Sequence, residues 1–166
     1  MIWKTLAVIC IVCICSLLYI LVIPHFASTR LLMRFFPEEI REAAGTHADP
    51  SPGKRAFGIF LTVCMAAVYI GAICFLGMDA VRHGYGFWPL YGRFLLFLYG
   101  YKLFDILVQD QYLVITRQYF VSFYPETRHC RSWHDRSFNT KNQLIRLALF
   151  PFLAALMAGA FLWIGG

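Results

Sequence analysis

Three uninterrupted apolar runs decide what this chain can fold into. Thr5 to Ile23, Ala56 to Met78 and Leu147 to Gly166 contain no Asp, Glu, Lys or Arg. A bilayer core about 30 Å thick takes about 20 mostly apolar helical residues. In lipid every backbone N–H and C=O must be satisfied internally, which a helix does within one segment. A fourth run, Trp88 to Leu107, is less clean because it holds Arg93, Lys102 and Asp105. Pro89 suits a first helical turn there. The pattern therefore predicts an all-α polytopic membrane protein: one domain over 1–166, with spans near 5–23, 56–78, 88–107 and 147–166. The charges of the third span lie towards its ends and are expected to snorkel to the interfaces.

Composition removes the competing classes. The chain is 60% hydrophobic and 14% charged, against about 45–50% and about 25% in soluble domains. Disorder is excluded by the apolar content. Six Cys in 166 residues are too sparse for a disulfide framework. The first run is longer than a signal-peptide core, and His25-Phe26-Ala27 is a poor small-x-small cleavage site, so a retained anchor is expected.

Lys and Arg counts predict orientation. Arg30, Arg34, Arg41, Lys54 and Arg55 lie between the first two spans; Arg117, Arg128, Arg131, Arg136, Lys141 and Arg146 lie between the last two. These connections share one side, which faces only Lys4 and Arg82 on the other. The expectation is two cytoplasmic connections with both termini outside, although Lys4 before the first span pulls the other way. Trp3, Trp88 and Trp163 would form an aromatic belt on the outer side. The net charge of +6 then reads as a topology signal with attraction to anionic headgroups, and nucleic acid is not needed to explain it. Short loops and compactness suggest a bacterial inner membrane, with a eukaryotic endomembrane as the alternative.

Within the first connection, Thr29 to Phe36 carries Leu31, Leu32, Phe35 and Phe36 beside Arg30 and Arg34, the pattern of a short interfacial helix. Pro37 to Gly45 predicts a second one, with acids in its first turn and Gly after its end. A linker hugging the membrane and a partner-docking helix are both compatible with this. His83-Gly84-Tyr85-Gly86 predicts a tight outer turn. Tyr112 to Thr116 and Tyr119 to Tyr124 read either as a short hairpin or as a cytoplasmic extension of the third helix. Small residues four apart, Gly58/Thr62/Ala66 and Ala154/Ala158, mark the second and fourth spans for close helix contact. Pro151 should kink the fourth span.

Three groups of residues carry candidate chemistry. Cys10 and Cys13 have redox-pair spacing, but they sit in an apolar run without a basic neighbour and read as packing residues. Tyr101, Lys102, Asp105, Gln109 and Tyr112 share roughly one helix face, and Lys102 and Asp105 can pair at i,i+3. Asp105, Asp110, His129, His134 and Asp135 supply acid, base or metal ligands on the predicted cytoplasmic side, with Glu126 and Cys130 nearby. Lys102, Arg117, Arg128, Arg131 and Arg136 are the candidate ligands for lipid phosphate. Spacing singles out no metal site and implies no cofactor. The chain has no His-Glu-x-x-His, no phosphate-binding Gly loop and no Gly-x-Ser-x-Gly.

The leading functional expectation is a small accessory protein that binds anionic lipid or another membrane protein through basic cytoplasmic loops, alone or as a homo-oligomer. The alternative is a membrane-embedded enzyme acting on lipid headgroups through the Asp/His cluster. A channel or carrier ranks third, because the three clean spans offer almost no polar path.

Overall fold

The computed structural model describes residues 2–135 and 139–165. It is helical, with no strand among the described residues. Helix α1 (Ile2–Val22) is followed by two short helices, α2 (Thr29–Met33) and α3 (Glu38–Ala43). Two long helices, α4 (Pro52–Arg82) and α5 (Phe87–Phe104), form an antiparallel pair, and α6 (Thr140–Gly165) closes the chain. Three helical segments are long and apolar enough to cross a membrane: Ile2–His25, Pro52–Arg82 and Thr140–Gly165. The turn between α4 and α5 needs Gly84, whose φ of +67° lies in the left-handed region.

The four long helices share one apolar core. Val12 and Cys13 of α1, Leu76 and Ala80 of α4, Leu90, Phe94 and Phe97 of α5, and Ala154 and Ala158 of α6 are all buried in it. Ala154 and Ala158 meet the expectation of close contact. The stripe on α4 divides instead. Gly58 is buried, and a Cβ there would lie 2.7 Å from the Phe26 carbonyl oxygen, whereas Thr62 and Ala66 are exposed, Thr62 sharing a 3.0 Å hydrogen bond with Tyr19 of α1. The outer surface of α4 is strongly apolar, with Ile59, Phe60, Val63 and Ile70 exposed. Cys13 packs in the core and Cys10 is exposed, so the two do not form a redox pair.

The third apolar run behaves differently from the expectation. Arg93 and Lys102 do not snorkel; they are 1% and 4% exposed and turn inwards. The run from Asp105 also remains helical. It widens into a π-helix, Asp105–Thr116, and ends where Gln118 adopts φ +48°. The hairpin reading of 112–124 is thereby corrected. Tyr119–Ser122, Pro125–Thr127 and Arg131–His134 follow as single 3₁₀ turns.

A second core lies at the end of the molecule that carries these turns. Met33, Ile40 and Ala44 from the first connection meet Val114, Phe120, Tyr124, Cys130 and Trp133 from the second. The membrane-hugging linker reading of the first connection understates this. Periodic apolar residues are few there, but Trp133 is 2% exposed and its Nε1 donates to the Thr127 carbonyl at 3.0 Å. The Glu39 carboxylate accepts from the Arg131 and Ser132 backbone N–H groups at 3.1 and 3.0 Å and from the Ser132 hydroxyl. These bonds hold its pKa below the usual carboxylate range. The two connections are thus one folded cap.

Candidate functional site

The π-helix decides where the candidate carboxylates point. On an α-helix, residues five apart diverge by about 140°. A π-helix bonds i to i+5 and puts such residues one above the other. Asp105 and Asp110 accordingly line one wall of a cavity of about 420 Å³. Its other walls are Tyr19 and Ile20 of α1, Leu32 of α2, Phe120 of the cap, and Asn142 of α6. Arg34 and Arg146 also line it; both are exposed, and neither makes an ion pair or side-chain hydrogen bond among the described residues. The cavity is amphipathic, with aliphatic and aromatic walls, two carboxylates and two unpaired guanidinium groups.

The carboxylates are held differently. Lys102 pairs with Asp105, as the i,i+3 spacing allows. Asp110 accepts from the Gln143 amide and, at 3.4 Å, from the Asn139 amide, so it ties the π-helix to the start of α6. Burial, followed by the Asp105 charge, pushes the Asp110 carboxyl above its usual range. Beside this pair, Gln109 donates to Ser16 at 2.7 Å, and Ser16 and Tyr101 share a 3.0 Å hydrogen bond. Tyr112 leaves this face; it is exposed and receives a hydrogen bond from Arg117 at 2.9 Å.

The remaining candidates do not join the cavity. His129, His134 and Asp135 are exposed on the cap, and none of them lines it. His134 hydrogen-bonds Gln118 at 3.1 Å. Among the described residues no group of three or more His, Cys, Asp or Glu is placed to hold a metal. Lys102 is buried with Asp105, Arg117 stacks over Tyr112, and Arg128 and Arg131 are exposed on the cap. Arg136 lies outside the described residues.

One charged centre escapes a reading made span by span. Arg93, in the middle of the apolar core, bonds Asp79 Oδ2 at 2.7 Å, and Lys4 bonds Asp79 Oδ1 at 2.6 Å. Arg93 also donates to the Thr5 hydroxyl at 3.0 Å and the Leu76 carbonyl at 2.9 Å. A signal was present: Asp79 and Arg93 lie equally far before and after Gly86 at the turn, so a tight antiparallel pair puts them at one level. This cluster joins α1, α4 and α5 at the end opposite the cap. It is held together by internal pairing, and a cavity of about 410 Å³ between α1 and α4 touches it at Lys4 and is otherwise apolar.

No family model, curated protein or solved structure matches the chain.

Proposed function

We propose that this chain is a four-span membrane protein of the accessory type that binds anionic phospholipid headgroups on its cytoplasmic face. The observation that carries the proposal is that Arg34 and Arg146, which have no ion-pair partner among the described residues, line an amphipathic cavity beside the cap whose carboxylates are already engaged, Asp105 by Lys102 and Asp110 by Asn139 and Gln143. A phosphodiester gains charge-assisted, bidentate hydrogen bonds from such groups, and Ile20, Leu32 and Phe35 give the adjoining glycerol and chain an apolar wall.

The fourth crossing is argued from the cap. Its core unites residues from before α4 with residues from after α5. A chain that crosses on α4 must return on α5 for these residues to meet. The charges of α5 do not oppose this, because Arg93 and Lys102 are paired inside the protein and are not offered to lipid. Eleven basic residues on the cap side then favour a cytoplasmic cap with both termini outside, and a bacterial inner membrane suits the short connections. The short helices α2 and α3 sit at the headgroup level in this arrangement. The enzyme alternative is weaker, since His129 and His134 lie off the cavity that holds the two carboxylates.

The test is lipid retention by the full-length protein, extracted from bilayers of equal phosphatidylglycerol and phosphatidylcholine and weighed intact by native mass spectrometry. The protein should retain phosphatidylglycerol preferentially, and the Arg34→Ala/Arg146→Ala variant should lose that preference. Equal retention of both lipids by the unaltered protein would sink the proposal.

A further inference from the structure

A second site stands on the other side of α2, and none of the residues considered above for lipid phosphate belongs to it. Here a pocket of about 600 Å³ is lined by Arg30, Arg41, Arg55 and His47, with Asp49 as its acid. Among the described residues Arg30 makes no ion pair or side-chain hydrogen bond. Arg41 is held only by exposed Glu38 at 3.3 Å, and Arg55 approaches Asp49 at 3.9 Å. Exposed pairs of this kind are weak and give way readily to a stronger anion. Asp49 is already committed: it accepts from the Thr29 backbone N–H at 2.8 Å and from the Ser28 hydroxyl at 3.0 Å. Among the lining residues three guanidinium groups stand against one carboxylate, a formal excess of two positive charges with His47 left out of the count; exposed Glu38, paired with Arg41, and Glu126, paired with His47 at 2.9 Å, lie outside the lining.

The pocket opens into an apolar groove of similar size through shared residues. Ser28 and Arg55 line both. The groove continues between Leu31 of α2 and Ile59 and Val63 of α4, which are 55%, 63% and 61% exposed. From Arg55 to Val63 the helix rises about 12 Å, the length of the upper part of an acyl chain. Arg55 sits directly before the apolar run of α4, so the pocket meets the groove at the depth where headgroup and chain meet.

We propose that pocket and groove together bind a lipid phosphomonoester, with the phosphate among Arg30, Arg41 and Arg55 and one acyl chain along Leu31, Ile59 and Val63. Charge selects the class. A phosphodiester headgroup carries a single negative charge, whereas a phosphomonoester carries about −1.5 to −2 at pH 7 and matches the excess of the pocket. The groove selects the source, because a free phosphate would leave it empty.

The experiment uses the full-length protein in nanodiscs, with phosphatidic acid as the lipid probe, phosphatidylglycerol as the diester comparison and glycerol 3-phosphate as the soluble competitor. Intact-complex mass spectrometry should find phosphatidic acid retained over phosphatidylglycerol. The Arg30→Gln/Arg55→Gln variant should lower that retention about tenfold or more, as expected for losing charge-assisted bonds. Ile59→Trp, which fills the groove and leaves the pocket, should lower it as well. The ratio of phosphatidic acid to phosphatidylglycerol is read as well: Arg34→Ala/Arg146→Ala should lower retention of both anionic lipids, whereas Arg30→Gln/Arg55→Gln should lower the ratio, so this site and the cavity beside Asp110 fail or stand separately. All these side chains are exposed, and size-exclusion elution checks that each variant folds. Unchanged retention in the Arg30/Arg55 variant would overturn the proposal. So would displacement of phosphatidic acid by equimolar glycerol 3-phosphate, which would assign the site to phosphate alone.

Discussion

Arg93 is the residue whose surroundings leave it least freedom. Its side chain is fully buried, so its charge must be answered inside the protein, and Asp79 answers it. Losing one member of such a pair strands the other in a low-dielectric core, at a cost of about 3–5 kcal/mol. Replacing both with apolar groups removes the charge and the need for an answer. Asp79→Ala should therefore lower the unfolding temperature in detergent sharply, and Asp79→Ala/Arg93→Met should regain most of the loss. An Asp79→Ala variant as stable as the parent would show that Arg93 has another counter-charge. At this scale the sequence carries the identities of the charges but not their directions. Arg93, Lys102 and Asp105 read as interface residues because each was weighed on its own helix. The Lys102–Asp105 pair is legible on one helix at i,i+3, whereas Asp79 becomes visible as the partner of Arg93 only when the turn at 83–86 brings two helices level.

Elements were more legible than contacts, and apolar ones more than mixed ones. Long charge-free runs leave helix as the only choice in lipid, which is why α1, α4 and α6 match their runs closely. The stretch after Asp105 was ambiguous because β-branched and aromatic residues favour strands, yet they also fill the inner face of a π-helix against the cap. That widening is what brings Asp105 and Asp110 into one cavity, and no periodicity of 3.6 residues announces it. The cap was the least legible element, since its core is assembled from two connections far apart in the chain. Trp133 is its largest buried side chain and packs against Phe36 at a ring separation of 5.3 Å. Trp133→Ala should cost the cap about 3–5 kcal/mol. It should accelerate tryptic cleavage at Arg128 and Arg131 while the helical circular dichroism of the long helices stays constant. Unaltered protection would mean that this core does not hold the cap.

For the whole molecule, membrane and cap impose one arrangement on the chain. The apolar outer faces of α1, α4 and α6 require lipid around them. The cap core requires the two connections to be on one side. In the four-span arrangement proposed above, the chain between Ala44 and Val114 makes an even number of crossings, on α4 and α5. Both proposed lipid sites depend on this, because each lies on the cap side and needs the leaflet with anionic headgroups. Side-specific thiol labelling tests the arrangement directly, on a background with the native cysteines replaced by Ala or Ser. Gly45 lies in the cap region and Gly86 in the turn between α4 and α5; both are exposed, with nothing within 4 Å of an added Cβ and no positive φ. In intact cells an impermeant maleimide should label Gly86→Cys, and it should label Gly45→Cys only after the membrane is opened. Labelling of both from outside would place the cap and the turn on one side and remove the four-span arrangement, and with it the cytoplasmic headgroup sites.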